Sequence, residues 1–188
     1  MRPTNHHLYG LTLLAAVLLT SLTPPAAPRK VVADKRTSMV SYTMKHAIHK
    51  WDAVSRDVNC AMNFNEETKR IEGVAVSMKV ASFDSENASR DSHGLEVMES
   101  LKYPNVTFVS QDVQTDAEGK LTIKGTLTFH GVAKPIVVQA TRKDAASQLT
   151  VVGGFDVSLT AHNVERPSFL GIKTDDTMNM KFTIVFPM

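Results

Sequence analysis

The sequence has little of several residue types that mark particular protein classes. It contains one cysteine in 188 residues, which excludes an internal disulfide framework and a cysteine-rich zinc module. Glycine and proline recur with no fixed period, so a collagen-like repeat is excluded. Hydrophobic residues make up 43% of the chain and charged residues 21%. These are the proportions of an ordinary globular domain rather than of a disordered chain or a multi-span membrane protein.

Long hydrophobic runs are also absent. The longest, residues 11–22 (LTLLAAVLLTSL), is shorter than the about 20 apolar residues that a membrane-spanning helix needs. A basic residue precedes it, and small residues and prolines follow it, which is typical of a secretory signal peptide. We predict a signal peptide over residues 1–33 and a single mature domain over residues 34–188. Cleavage after Ala33 fits the small-x-Ala pattern, and Ala26-Ala27 is the alternative.

The slight positive charge of the chain comes from this leader. Residues 1–33 include Arg2, Arg29 and Lys30 and no acid, so the mature domain is close to neutral. A nucleic-acid-binding protein needs a concentrated basic face, and we therefore predict no nucleic-acid partner. We expect a periplasmic or secreted protein with no integral membrane span after the leader is removed.

Apolar and polar residues alternate along most of the mature domain, which is the pattern of half-buried strands. Turn residues such as those at 116–119 (DAEG) separate the runs by hairpin lengths, so neighbouring strands should be antiparallel. Eight strands with one apolar face each predict an all-β, eight-stranded antiparallel barrel, because closure removes exposed edges. A two-sheet sandwich is the alternative. The alternating runs lie at residues 40–44, 54–64, 74–80, 106–110, 121–129, 136–140, 149–157 and 178–186.

Two segments depart from the alternation. Residues 91–101 place Leu95, Met98 and Leu101 at helical spacing, which predicts a short helix capped by Asp91 or Ser92. Residues 159–175 have little periodicity, which predicts a long irregular loop before the last strand. Loops of that length are often functional.

Four motifs carry a resemblance to a known family. They are Ser41-x-Thr43-x-Lys45-His46, residues 82–85 (SFDS) followed by 90–93 (RDSH), residues 102–110 (KYPNVTFVS), and residues 125–135 (GTLTFHGVAKP). In this order and spacing they resemble the YceI family of exported lipid-binding proteins, over about residues 37–186. The resemblance implies a lipocalin-like barrel that holds a long polyisoprenoid lipid, including quinones, in the bacterial periplasm. The sequence departs from the family pattern at residues 55–60 and 96–99.

The interior of an eight-stranded barrel is just wide enough to be filled by side chains or to hold one slim ligand. The apolar faces include several methionines, whose unbranched side chains adapt to irregular shapes. Together with the resemblance, this predicts a lipid-binding lumen, although the same faces also suit a solid core. The predicted lumen residues are Val40, Tyr42, Met44, Met62, Phe64, Val76, Met78, Phe108, Leu127, Phe129, Phe155, Met180, Phe182 and Ile184.

Four polar or aromatic residues are candidates for the head-group end of the lumen. They are His46, Trp51, Arg90 and Asp91. For Arg90 and Asp91 the alternative is helix capping with a solvated ion pair, and for Trp51 it is a packing anchor. His46 and His49 lie three residues apart, and strand alternation would place them on opposite faces. We predict no metal site.

The sequence contains no catalytic constellation. No Gly-x-Ser-x-Gly elbow, phosphate loop or dinucleotide fingerprint is present, and Cys60 falls on an apolar face, where a cysteine behaves as a small hydrophobe. We therefore predict a carrier that sequesters an isoprenoid-type lipid, with no enzymatic activity and no cofactor other than a bound lipid or quinone. The alternatives are a ligand-free, stress-related interaction module and, with least support, an enzyme that uses Cys60 or His46. A homodimer stays open.

Overall fold

The computed structural model describes residues 27–169 and 171–188, so the predicted leader lies mostly outside the described residues. Within this part the chain forms twelve strands, one α-helix and two short 3₁₀ turns, Val80–Ser82 and Thr160–His162. No helix of the described residues is long and apolar enough to cross a membrane. The elements are β1 (Arg29–Val32), β2 (Met39–His46), β3 (His49–Ser55), β4 (Val58–Asn65), β5 (Arg70–Lys79), α1 (Ala88–Val97), β6 (Asn105–Thr115), β7 (Lys120–Phe129), β8 (Val132–Ala145), β9 (Gln148–Ser158), β10 (Ser168–Phe169), β11 (Ile172–Lys173) and β12 (Thr177–Pro187).

Ten strands form one curled antiparallel sheet in the order β1-β4-β5-β6-β7-β8-β9-β12-β2-β3, and β10 and β11 form a separate hairpin. Backbone hydrogen bonds link each end of the sheet to a segment that is not its neighbour in the strand order. The amide of Asp34, just after β1, donates to the carbonyl oxygen of Val185 in β12 at 2.8 Å. Val54 in β3 and Asp84 exchange two such bonds, of 2.9 and 3.0 Å. The prediction of an all-β antiparallel barrel with one short helix is confirmed, with ten strands in the sheet where eight are predicted.

Period-two burial explains why most of these segments are strands. In β4, Val58, Cys60, Met62 and Phe64 are buried while the residues between them are more exposed. The buried faces of the other long strands join them in one core inside the curled sheet. One apolar face per strand therefore covers the interior and leaves the polar face in water.

The run predicted over residues 54–64 is two strands, β3 and β4, separated by a turn at Arg56-Asp57. The Asp57 amide donates to Ser55 Oγ at 3.3 Å within this turn. The phase of the alternation changes there, because Ala53 is buried in β3 and Val54 is not. The turn is only two polar residues long, and the apolar Val54 has the same parity as Val58 although it lies on the other face of β3. The apolar residues therefore look continuous across the turn, which is why the sequence predicts a single run.

The strand β1 is absent from the sequence prediction, which places these residues in the leader. In the structure Arg29–Val32 pairs with residues 61–64 of β4. Val31 is 4% and Ala33 6% exposed. Residues 29–33 therefore belong to the folded domain as the structure describes it.

The helix begins and ends earlier than the sequence predicts. Asn87, rather than Asp91 or Ser92, is the N-cap, and its side chain accepts a hydrogen bond from the amide of Arg90 at 3.0 Å. The helix ends at Val97, and Leu101 is fully exposed in the turn that follows. The first helical turn contains no large apolar residue, so hydrophobic periodicity does not reveal it.

The predicted loop over residues 159–175 contains one 3₁₀ turn and the short β10–β11 hairpin. Asp176 fixes its start, because its carboxylate accepts hydrogen bonds from Ser158 Oγ at 2.5 Å and from the amide of Thr160 at 2.8 Å. These bonds stabilise the ionised form and hold the pKa of Asp176 below its usual range. The segment is therefore anchored to the barrel end next to α1.

Candidate functional site

The interior of the curled sheet is not a solid core. A deep cavity of about 870 Å³, including its open part, is enclosed by the long strands, and Thr107 is the one polar residue in its lining. Phe108, Phe155 and Phe182 lie on the inward faces of their strands, yet their side chains are only half-buried. Their remaining exposed surface lines the cavity.

Two further cavities extend this space towards α1. The middle cavity, of about 720 Å³, shares Met78, Leu127 and Met180 with the deep cavity and is covered by Leu95 and Met98 from the helical segment. A third, wider cavity of about 1300 Å³ shares Tyr42, Gly94, Met98 and Met178 with the middle one. Shared lining residues place the three cavities in a row, which we call the path, with the wide cavity at its mouth.

The opposite end of the path is packed shut. Phe64, Leu121, Leu149 and Phe186 meet there, each at most 2% exposed. Outside them the guanidinium carbon of Arg142 lies 5.5 Å from the centroid of the Phe64 ring. The path therefore has a packed end and a wide end.

Two glycines in the strands keep the path open. A Cβ added at Gly125 would lie 2.5 Å from Cζ of Phe108, and one at Gly153 would lie 2.7 Å from Cζ of Phe182. Each ring thus lies directly against a glycine backbone. Without that space the rings would have to move into the lumen.

Most of the predicted lumen residues line at least one of the three cavities. Met62 and Phe64 do not, since both are 1% exposed and pack into the core near the closed end. Alternation identifies the inward face of a strand but gives no information on how far along the barrel the open space extends. The residues that line a cavity are Val40, Tyr42, Met44, Val76, Met78, Phe108, Leu127, Phe129, Phe155, Met180, Phe182 and Ile184.

Cys60 lines the deep cavity and is the one cysteine of the chain. Burial among apolar side chains disfavours the thiolate and raises the pKa of Cys60 to about 12. The thiol is therefore protonated at neutral pH and acts as a small apolar group, because the thiolate is the nucleophilic form.

The β2–β3 hairpin forms one side of the mouth. His46 and His49 are directly paired across it, with ring centroids 5.3 Å apart, and both line the wide cavity. The prediction that they lie on opposite faces is wrong, because a two-residue turn places them on two paired strands, and the period-two rule holds only within one strand. His46 Nε2 donates to the carbonyl oxygen of Ile172 at 3.0 Å. Among the described residues no three His, Cys, Asp or Glu side chains come together as a metal site.

Arg90 and Trp51 face each other across the mouth. The guanidinium carbon of Arg90 lies 5.4 Å from the Trp51 ring centroid, a cation–π contact. Arg90 Nη1 also donates to the carbonyl oxygen and Oγ of Ser85, at 3.2 and 3.3 Å. Asp91 lines the middle cavity, and its carboxylate accepts from the amide of Ser85 at 3.2 Å. Both charged residues thus fasten the start of α1 to the barrel, and Arg90 in addition faces the wide cavity.

A buried histidine fixes the other end of the helical segment. His130 Nε2 lies 3.0 Å from a carboxylate oxygen of Glu99, and Nδ1 donates to the carbonyl oxygen of His162 at 3.1 Å. The Tyr103 ring packs on His130 with centroids 4.3 Å apart. Gly131 has φ +73° and a would-be Cβ 2.6 Å from the same tyrosine, so only glycine fits there. These contacts hold the helical segment over the middle cavity.

Sequence reasoning missed the contribution of this segment to the site. His93, Gly94, Leu95 and Met98 line the middle or wide cavity. The helical spacing of Leu95 and Met98 was a usable signal, because a helix beside a barrel buries its apolar side against the barrel. His49 was missed because its pairing depends on the turn.

The family model for the YceI-like domain matches residues 32–186. The chain belongs to the YceI family. The UPF0312 protein YE1254 of Yersinia enterocolitica is 31% identical over 139 residues, which cover 72% of this chain and 71% of the relative. The protein YceI of Salmonella newport is 30% identical over 137 residues, covering 71% of each. The resemblance expected from the four motifs is confirmed.

Solved structures support the same YceI fold. BcnA of Burkholderia cenocepacia superimposes with a TM-score of 0.73 at 22% identity, covering 81% of this chain and 98% of BcnA. A polyisoprenoid binding domain from Saccharophagus degradans, described as implicated in plant cell wall breakdown, has a TM-score of 0.68 at 11% identity. It covers 85% of this chain and 98% of that domain. At these identities the likeness establishes the fold.

Proposed function

We propose that this YceI-family chain binds one slim hydrophobic lipid of isoprenoid type along the connected cavities and shields it from water. The observation that carries the proposal is the row of adjoining, largely apolar cavities that is packed at one end and has polar side chains at the other. The solved neighbour described as a polyisoprenoid binding domain supports the class of ligand.

The physical chemistry of the path suits a flexible tail. Each buried CH₂ contributes up to about 0.8 kcal/mol, from which the ordering of the tail and the loss of overall motion are subtracted. Met78, Met98, Met178 and Met180 line the path, and their flexible side chains can adapt to methyl branches. A tail would therefore lie in the middle and deep cavities.

The wide cavity would receive the polar head of the lipid. Its lining includes Arg90, His46 and His93 and, among the described residues, no carboxylate. Cationic and imidazole N–H groups donate hydrogen bonds to oxygen acceptors, so a quinone ring with its carbonyl oxygens is the head group that we propose. We infer a binding protein rather than an enzyme, because the buried thiol of Cys60 is held in its unreactive form. Because the sequence predicts a secretory leader, we propose that the protein acts in the periplasm or outside the cell.

Native mass spectrometry of the gently purified protein, followed by lipid extraction, tests the proposal. We expect a mass excess of one lipid per chain. Val106→Trp would fill the neck shared by the deep and middle cavities and should abolish loading. Val109→Trp is the matched control, because Val109 lies on the same strand and is 52% exposed on the outside.

Two results would contradict lipid binding. One is a folded Val106→Trp variant that still loads as the wild type does. The other is a wild-type protein that is empty and refuses added quinones and polyprenols, which would favour the ligand-free interaction module. Circular dichroism shows whether each variant is folded.

A further inference from the structure

The turn of the β2–β3 hairpin is exposed at the mouth of the path. Residues 45–50 (KHAIHK) contain two lysines, two histidines and no acid. Ile48 in the turn is 67% exposed, while the flanking His46 and His49 line the wide cavity. A large apolar side chain therefore projects into solvent directly beside the opening.

Lys45 and Lys50 are direct cross-strand partners in this hairpin, and both are exposed. Like charges placed opposite each other destabilise a sheet. Within the described residues neither lysine forms an ion pair with a carboxylate. Asp52, two residues further along β3, accepts a hydrogen bond from Thr43. The hairpin thus holds two adjacent positive charges that make no direct ion pair within the described residues.

A second segment extends this surface. Ile172 in β11 is 46% exposed, and its carbonyl oxygen accepts the hydrogen bond from His46. The amide of Asp175 donates to the carbonyl oxygen of Lys45 at 2.9 Å, which fastens the segment to β2. Lys173 beside it is paired with Glu165 at 3.6 Å, so its charge is already matched. We call Lys45, Ile48, Lys50 and Ile172 the basic rim.

We propose that the basic rim docks reversibly on a membrane surface that contains anionic lipids. Cations next to exposed aliphatic side chains are the combination that binds an anionic interface, each lysine strengthening binding about fivefold. The rim lies beside the wide cavity, which is lined by His46 and His49 of the same hairpin, so a lipid tail could pass from the bilayer into the path without crossing bulk water. The purpose of docking rests on the proposed lipid binding, but docking itself is measured without lipid uptake.

The exposed Val137 lacks this combination. Val137 on the outer face of β8 pairs with Lys124, whose charge is matched by Asp112 at 3.7 Å. Such isolated valines are ordinary on a protein surface. Charge complementarity and continuity with the path therefore distinguish the basic rim.

Vesicle flotation tests the docking, with vesicles of phosphatidylcholine alone and with 30% phosphatidylglycerol added, a composition chosen as roughly that of an anionic membrane surface. All variants begin at the same residue, so that the substitutions are the only difference between them. We expect wild-type protein to float with the anionic vesicles and to be released at high salt. The double variant Lys45→Gln with Lys50→Gln should bind about 30-fold more weakly, and Ile48→Ser should weaken binding further. The matched control, called the β8 control, is Lys143→Gln on β8 combined with Lys181→Gln on β12, both exposed.

Wild-type protein that does not float with anionic vesicles would overturn the docking and leave an acidic protein surface as the partner to seek. An equal loss in the β8 control would overturn the assignment to the basic rim. Loading of the same variants from detergent-dispersed polyprenol separates the two proposals. If the wild-type protein loads polyprenol but does not float with anionic vesicles, only the docking proposal is wrong. If the wild-type protein does not load polyprenol, the lipid-binding proposal is wrong.

Discussion

Gly125 and Gly153 show how single residues keep the barrel interior open. Each lies under an aromatic ring that would otherwise occupy the lumen. The sequence shows Gly153 as a gap in an alternating run, but it does not show which ring covers that gap. That depends on cross-strand register, in which Phe182 is the direct partner of Gly153.

Substituting two glycines should change stability in opposite directions. Gly153→Ala should destabilise the fold by about 1–3 kcal/mol, because the new Cβ would lie 2.5 Å from the carbonyl oxygen of Gln139. Gly94→Ala should stabilise it by about 0.5–1 kcal/mol, since Gly94 is helical and nothing lies within 4 Å of the added carbon. Urea unfolding of both variants measures the difference. Equal changes in the midpoint would contradict the close packing at Gly153.

The thiol of Cys60 should react slowly and only at high pH. A pKa of about 12 leaves about a thousandfold less thiolate at pH 8 than an ordinary cysteine has. The raised pKa means that the reactive form appears only as the pH rises towards 12. Alkylation by an apolar maleimide, followed by intact mass, should therefore accelerate about tenfold per pH unit.

An exposed thiol on the same background is the control for that measurement. Cys60→Ala combined with Val109→Cys moves the single thiol to the outer face of β6. It should react at the ordinary rate near neutral pH. Equal rates for Cys60 in the wild type would refute its burial in the deep cavity.

At the scale of elements, β1 gives the clearest consequence. A chain beginning at Asp34 would lose the pairing of Arg29–Val32 with β4 and the buried side chain of Val31. Burial of one valine alone is worth about 1.5–3 kcal/mol. For the proposed exported form we therefore expect β1 to be kept, with cleavage upstream of Arg29 at the alternative site near Ala26-Ala27.

Intact mass of the exported protein locates that processing site. A recombinant chain beginning at Asp34 should unfold at lower urea concentration than one beginning at Pro28. A mature N-terminus at Asp34, together with equal unfolding midpoints, would show that β1 is dispensable.

Most elements could be predicted from the sequence, and the exceptions have physical reasons. Six of the eight alternating runs lie within single strands, and the run at 74–80 overruns β5 by one residue, because burial on one face imposes period two. The β3–β4 turn was hidden because Arg56 and Asp57 interrupt the pattern too briefly. The edge strand β1 was hidden because it follows the apolar leader directly. The start of α1 was hidden because its N-cap, Asn87, precedes a polar first turn.

At the scale of the whole molecule, three of the four family motifs meet where the helical segment joins the barrel. Ser85, Asp91, Tyr103 and His130 come from three of these motifs and together fasten the helical segment to the barrel end. The motifs therefore predicted the overall fold well. The connected cavities could not be predicted in the same way, since their extent depends on ring positions and packing at the closed end.

The packed end has a kinetic consequence for the proposed cargo. Because Phe64, Leu121, Leu149 and Phe186 close one end, a lipid must leave by the way it came in, head first. Each added CH₂ that reaches the apolar path should lengthen its dwell time by up to about fourfold. The gain stops once the tail touches the packed end. The rate of dissociation, rather than the rate of association, would then discriminate between lipids of different tail length. A lipid whose tail is longer than the path would keep its head group outside, within reach of an acceptor.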